Sequence, residues 1–160
     1  ASARKRVVAL FLGAEDLTAD LRCKRTKEGR EIDYARSRMV NAARAAGVDV
    51  YDTPFTDVND DEGIVADATY AKSLGFTGKA SISPRHITAI NTVFSPTKAD
   101  IAYAYEVMDA IAEAKAQGKG AIALRGKMID APIVARARQV LEAAEAIGMY
   151  RPADSQKGER

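Results

Sequence analysis

Cysteine occurs once, at Cys23, so the chain cannot close an internal disulfide. Tryptophan is absent, and histidine is represented by His86 alone, which leaves no histidine pair to share a metal. There is no stretch of about 18 apolar residues to span a bilayer and no secretory signal pattern. Together with the lone cysteine, this predicts a soluble, reducing, cytoplasmic setting with no membrane partner. A surplus of charge is missing as well. Lys and Arg number 24 against 22 Asp and Glu, a net charge of +2, which makes no electrostatic case for a nucleic-acid or polyanion partner. What the chain does have is 160 residues, 47% of them hydrophobic, enough for the core of one domain. Plentiful alanine and only 6% aromatics favour helices packed closely through small side chains.

The stretch Val7 to Leu12 is apolar throughout and ends in Gly13-Ala14-Glu15-Asp16. Unbroken by polar alternation, it predicts a strand buried on both faces, as in a parallel sheet covered by helices. The carboxyl ends of parallel strands are where open sheets and barrels gather ligands, so Glu15 and Asp16 are the first candidates for chemistry.

The pattern then repeats. Leu17 to Leu21 predicts a helical turn, and Arg22 to Gly29 a charged surface loop. A helix from about Glu31 to Ala46 carries Ile32, Ala35, Met39, Ala42 and Ala46 on one stripe and stops at Gly47. Val48 to Tyr51 is a short strand, and the acidic run Asp57 to Glu62 offers N-caps for a helix with Ile64, Val65, Ala68, Ala71 and Leu74, closed by Gly75. A third strand over Lys79 to Ile82 precedes Ser83, Pro84 and a helix from Arg85 to about Val93. Strand, loop and helix in three rounds predict right-handed crossovers and a parallel sheet. Thr97 to Asp100 then resembles a capping box opening a long helix that stops at Gly118. Ala121 to Met128 predicts a small hairpin or extended arm, Asp130 and Pro132 open a last helix that ends at Gly148, and Arg151 to Arg160 reads as a frayed tail.

Six segments in this order carry a resemblance: Gly13 to Leu21, Tyr34-Ala35-Arg36-Ser37, Asp49 to Phe55, Gly75-Phe76-Thr77-Gly78-Lys79, Ser83 to Ile87 and Gly126 to Pro132. The chain resembles, over nearly its whole length, the citrate lyase beta subunit group of the HpcH/HpaI aldolase superfamily, which also contains malyl-CoA and citramalyl-CoA lyases. The resemblance implies an α/β fold, a (β/α)8 TIM barrel of roughly 250 residues or more. This chain matches only the second half, from about the sixth strand on. It would supply the last three strands and a C-terminal helical arm. The expected division is a half-barrel over residues 1–118, an arm and helix over 119–150 contacting a neighbouring subunit, and a flexible tail over 151–160. Half a barrel leaves an unpaired sheet edge, so an N-terminal half is expected to have been lost, split off or supplied by another chain.

The resemblance also implies site residues. Asp16 would bind Mg²⁺ together with a glutamate from the preceding strand, outside this chain; the residues alone allow a plain helix cap instead. Glu15, with the adjacent Gly13 and Ala14, is expected to reach metal or substrate indirectly. Asp130 would act as acid or base in a neighbouring subunit, against a plain N-cap role. Ser83, Pro84 and Asn91 are expected to line the coenzyme A entry, although relatives often have histidine or asparagine at the position of Ser83. His86, where relatives often have glutamine, reads as a surface or packing residue, and Asp52 either hydrogen-bonds near the site or shapes the turn before Thr53-Pro54. Cys23 reads as a bystander.

The implied activity is Mg²⁺-dependent carbon–carbon cleavage of a 3-hydroxy acyl thioester (citryl, citramalyl or malyl, on coenzyme A or an acyl carrier) into an acyl thioester and an oxo acid. A homo-oligomer, trimer or hexamer, is implied with it, and the fragment alone is expected to be inactive. Two alternatives stay open: a class II aldolase for free hydroxy-oxo acids, against which the segment Gly126 to Pro132 speaks, and a non-catalytic half-barrel that serves as an assembly partner.

Overall fold

A computed structural model describes residues 6–118 and 122–149, so the tail expected over 151–160 lies outside the described residues. The chain divides into two compact units, Ala1–Phe94 and Ser95–Arg160.

The first unit is a parallel α/β layer. Strands β1 (Ala9–Phe11), β2 (Asp49–Asp52) and β3 (Gly78–Lys79) pair in the order β1-β2-β3, with Phe11 opposite Tyr51 and Tyr51 opposite Gly78. Between them run α1 (Ala14–Asp20), α2 (Asp33–Ala46) and α3 (Asp61–Leu74), and α4 (Ile87–Phe94) follows β3. Gly47 and Gly75 end α2 and α3 at φ of +65° and +103°, left-handed values that glycine adopts without steric cost. Asp60 caps α3, its carboxylate accepting from Gly63 N at 2.9 Å. The core joins Val40 and Ala43 of α2, Val50 of β2, Ala71 of α3 and Phe76.

Two expectations change here. The first strand is not buried on both faces: within this chain β1 is an edge strand, and Val8 and Phe11 are 74% and 54% exposed. The alternation of the strand puts Leu10 and Leu12 toward the helices and Phe11, beside Tyr51, on the uncovered face. Likewise the buried stripe of α2 runs through Ile32, Arg36, Val40 and Ala43, whereas Ala42 is exposed. The stripe rotates because a guanidinium is accepted into the interior, where carboxylates meet it.

The charged loop before α2 is ordered around Glu31. Its carboxylate accepts from Arg25 Nη1 at 2.7 Å, Thr26 N at 2.9 Å and Thr26 Oγ1 at 2.7 Å. Burial alone would raise the pKa, but the Thr26 and Arg25 hydrogen bonds outweigh it and hold the group at about 2. A depressed carboxylate stabilises fully above its ordinary value of 4.5 and loses that contribution as pH falls toward about 2. In Glu31→Gln, urea midpoints followed across that window are expected to fall less steeply with acid than in the parent chain. Parallel profiles would contradict the assignment.

The second unit is helical. Thr97 and Asp100 form the expected capping box: Thr97 Oγ1 accepts from Asp100 N at 3.1 Å and Asp100 Oδ2 from Thr97 N at 2.9 Å. They open α5 (Lys98–Ala116), which packs on α6 (Ala131–Ala146) through Ala104, Val107, Ile129 and Ala137. Between the helices, β4 (Ala123–Leu124) and β5 (Lys127–Met128) form an antiparallel hairpin, as the sequence pattern suggested. None of the described helices is long and apolar enough to cross a membrane.

Candidate functional site

The carboxyl ends of β2 and β3 bring Asp52 and Lys79 into a buried group of four charges. Arg36 of α2 donates through Nε to Asp52 Oδ1 at 2.9 Å and through Nη2 to Asp52 Oδ2 at 2.8 Å and Asp67 Oδ1 at 2.8 Å. Lys79 Nζ donates to Asp52 Oδ2 at 2.8 Å and to the Thr53 carbonyl at 2.6 Å. It also lies 2.5 Å from Asp67 Oδ2, an ion pair without the alignment of a hydrogen bond. The side chains of Arg36, Asp52 and Lys79 are fully buried and that of Asp67 is nearly so. Two cations and two carboxylates cancel, which is the condition for holding such groups out of water. Burial works against ionising Asp67, yet Lys79 and Arg36 keep its carboxyl below the usual carboxylate range. Burial likewise opposes the charge on Arg36, and Asp52 and Asp67 raise its pKa still further.

Sequence alone does not point to Arg36, Lys79 or Asp67 as site residues, and it leaves Asp52 open between two roles. Its available signal was the arginine four residues from both Ile32 and Val40, a cation in the middle of an apolar stripe. The turn-forming role of Asp52 gives way to the buried quartet.

Thr53 follows Asp52 and is also buried. Its Oγ1 accepts from Ala14 N at 3.3 Å, so the end of β2 reaches the first residue of α1. That helix starts three residues before the predicted turn. Its N-cap position is Gly13, which offers no side-chain cap. Asp16 is the third residue of the helix, exposed, with no hydrogen bond or ion pair among the described residues. A plain capping role for Asp16 is therefore not realised. Glu15 turns the other way, 3.5 Å from Arg25 Nε in an ion pair. Asp16 suits Mg²⁺ in kind, as a hard oxygen donor that no other described residue engages. It does not suffice in number, because the described residues contain no group of three or more His, Cys, Asp or Glu able to hold a metal ion. Further ligands would have to come from water, substrate or another polypeptide.

The remaining candidates are spread over both units. Asp130 caps α6, its Oδ1 accepting from Ile133 N at 3.0 Å, with Pro132 in the first turn; it is exposed, and only Oδ1 serves the cap. Ser83 caps the 3-10 turn Pro84–His86, accepting from Arg85 N at 3.3 Å. Asn91 lines a shallow groove of about 390 Å³ on the uncovered sheet face, together with Phe11, Tyr51, Ile90 and Phe94. His86 is wholly buried, its ring centroid 6.1 Å from that of Phe55, and neither ring nitrogen has a hydrogen-bond partner among the described residues. Of the two roles read for it, packing holds and surface does not. Cys23 is exposed and free.

Comparison with known proteins gives these segments a context. The family model described as HpcH/HpaI aldolase/citrate lyase matches residues 1–84. The citrate lyase subunit beta of Haemophilus influenzae is 44% identical over 145 residues, which are 91% of this chain and 50% of that protein. The mitochondrial citramalyl-CoA lyase of Mus musculus is 34% identical over 139 residues, 87% of this chain and 41% of that protein. Among solved structures, the CitE protein of Mycobacterium tuberculosis in complex with magnesium, acetoacetate and coenzyme A is similar with a TM-score of 0.72 at 30% identity, covering 90% of this chain and 54% of that one. The chain spans about half the length of the curated relatives it matches.

Proposed function

This chain belongs to the HpcH/HpaI aldolase/citrate lyase family, and on that premise we propose that it supplies the C-terminal half of a (β/α)8 barrel acting as a Mg²⁺-dependent carbon–carbon lyase on a 3-hydroxy acyl thioester. In this reading residues 1–118 belong to the half-barrel and 119–150 to an arm that reaches a neighbouring copy in a homo-oligomer. The uncovered sheet face, with Phe11 and Tyr51 exposed beside a groove, is the surface that the strands of the other barrel half would close. The observation that carries the proposal is the Asp16 carboxylate. It stands exposed just past the carboxyl end of β1, without a hydrogen bond or ion pair among the described residues, inside the segment that the family model matches. Support comes also from the relatives, which are named as citrate and citramalyl-CoA lyases, and from the magnesium and coenzyme A in the M. tuberculosis structure.

The roles follow from what each residue has free. Mg²⁺, when bound, would supply a template and Lewis acid for the substrate hydroxyl and carboxylate oxygens. Asp16 would contribute one charged oxygen to it, and Glu15, held by Arg25, would act only through its neighbours. Asp130 of a neighbouring subunit would accept the hydroxyl proton. The carbon–carbon bond then breaks, its electron pair passing to the acyl thioester as an enolate while the hydroxyl carbon becomes the oxo group. Protonation of the enolate completes the acyl thioester. Ser83, Pro84 and Asn91 would face the coenzyme A portion.

The test is to join this chain to the five-strand half of a citrate lyase beta relative and follow oxo-acid release from citryl, malyl and citramalyl thioesters. Turnover is expected only with both halves and Mg²⁺ present. A completed assembly that binds Mg²⁺ but cleaves no acyl thioester would overturn the lyase reading and leave the non-catalytic partner role in its place.

A further inference from the structure

Among the described residues no side chain hydrogen-bonds to or pairs with the Asp16 carboxylate. Its Oδ2 lies 3.7 Å from where a Cβ on Gly13 would stand, so the group folds back over the start of α1, and the orientation is inherited from the backbone of that turn. Past the ladder bond from Leu12 N to the Tyr51 carbonyl at 3.1 Å, that backbone has one long-range hydrogen bond among the described residues, at Ala14. The Ala14 N–H is among the amides that a helix start leaves without an internal partner, Gly13 has no side chain to meet it, and Thr53 Oγ1 accepts it from 39 residues away. Ala14 is itself completely buried, and its carbonyl accepts from Thr18 Oγ1 at 2.9 Å.

Thr53 in turn is fixed on both sides. Its carbonyl accepts from Lys79 Nζ at 2.6 Å, and the preceding residue, Asp52, takes three hydrogen bonds from Arg36 and Lys79. Charge-assisted bonds in a dry interior are short, strong and geometrically exacting. The quartet thus holds the end of β2, and Thr53 transmits that position to the turn carrying Asp16.

We propose that Thr53, held by Lys79 and Asp52, is a positioning residue for the Asp16 carboxylate, so that the buried quartet sets the geometry of the metal-binding turn. The proposal rests on the assignment of Asp16 as a metal ligand made above. Thr53→Val keeps the branched shape and removes the acceptor; Thr53→Ser keeps the acceptor. In this chain, amide exchange at Ala14 is expected to quicken about tenfold or more in Thr53→Val and to return near the parent rate in Thr53→Ser. In the assembly completed with the five-strand half, Mn²⁺ used as the spectroscopic probe is expected to bind on the order of 10-fold more weakly to Thr53→Val, within the range found when a metal ligand loses its supporting partner, with serine restoring it. Should Thr53→Val fail to fold, Thr53→Ala replaces it with the same expectation.

Asp16→Asn measured in parallel separates the two readings. If Asp16→Asn loses Mn²⁺ while Thr53→Val binds within twofold of the parent, the positioning role is wrong and the metal assignment stands. If Asp16→Asn binds Mn²⁺ as the parent does, the metal assignment fails and takes the positioning role with it. Faster exchange at Ala14 without weaker Mn²⁺ binding would mean that the Thr53 contact is structural only.

Discussion

Replacing Lys79 with methionine is expected to cost about 3–5 kcal/mol of folding stability, the usual penalty for removing one partner from a buried ion pair. Methionine fills much of the same space, so the loss reports charge rather than a cavity. Without the ammonium, Asp52 and Asp67 face Arg36 alone inside a site where the Asp52 side chain is fully buried. Against the roughly 5–15 kcal/mol that holds a typical domain together, this is enough to unfold an appreciable fraction of molecules. Urea unfolding measures it, and a cost below about 1 kcal/mol would show that the quartet contributes little. Acid provides a second check. Because the Asp67 carboxyl is depressed by Lys79 and Arg36 against the cost of burial, its contribution is present above the ordinary carboxylate range and lost as pH falls through the lowered value. That acid-sensitive part of the profile is expected to flatten in Lys79→Met.

The second large effect is expected at Asp16. In the completed assembly, Asp16→Asn should weaken Mg²⁺ binding by on the order of 100-fold or more, since loss of a partner that merely supports a ligand already costs about 10–100-fold, and turnover should fall with it. Stability should change little, because the carboxylate makes no hydrogen bond or ion pair among the described residues and a charge in the first turn of a helix is worth about 0.3–1 kcal/mol. Isothermal titration with Mg²⁺ and thermal unfolding, done on the same preparation, distinguish a ligand from a structural acid. Lost stability with unchanged Mg²⁺ affinity would point to the latter.

Much of this molecule is legible without coordinates, and for identifiable reasons. The three strand-and-helix rounds, the glycine stops at Gly47 and Gly75, the Thr97–Asp100 box and the Asp130 cap all rest on interactions within a few residues of chain, which sequence spacing encodes directly. The family motifs were equally visible because they are short contiguous words. Asp16 could be singled out because an acid directly after an apolar strand run is a local pattern, even though its assignment to a metal rests on likeness to relatives.

What spacing cannot encode is pairing across the fold. Arg36 on the helix stripe and Lys79 on a strand are charged, and by themselves they argue for solvent. Only the arrival of Asp52 from β2 and Asp67 from α3 makes their burial affordable. The same holds for Phe11, whose run of apolar neighbours argues for burial on both faces and which the three-stranded sheet leaves 54% exposed. The sequence alone thus determined the order of elements, their ends and the acid at the strand terminus, because local propensities and capping decide these. The tertiary structure decided which charges are buried, which sheet face stays open and what anchors the turn of Asp16, because each depends on partners 16 to 39 residues away in the chain.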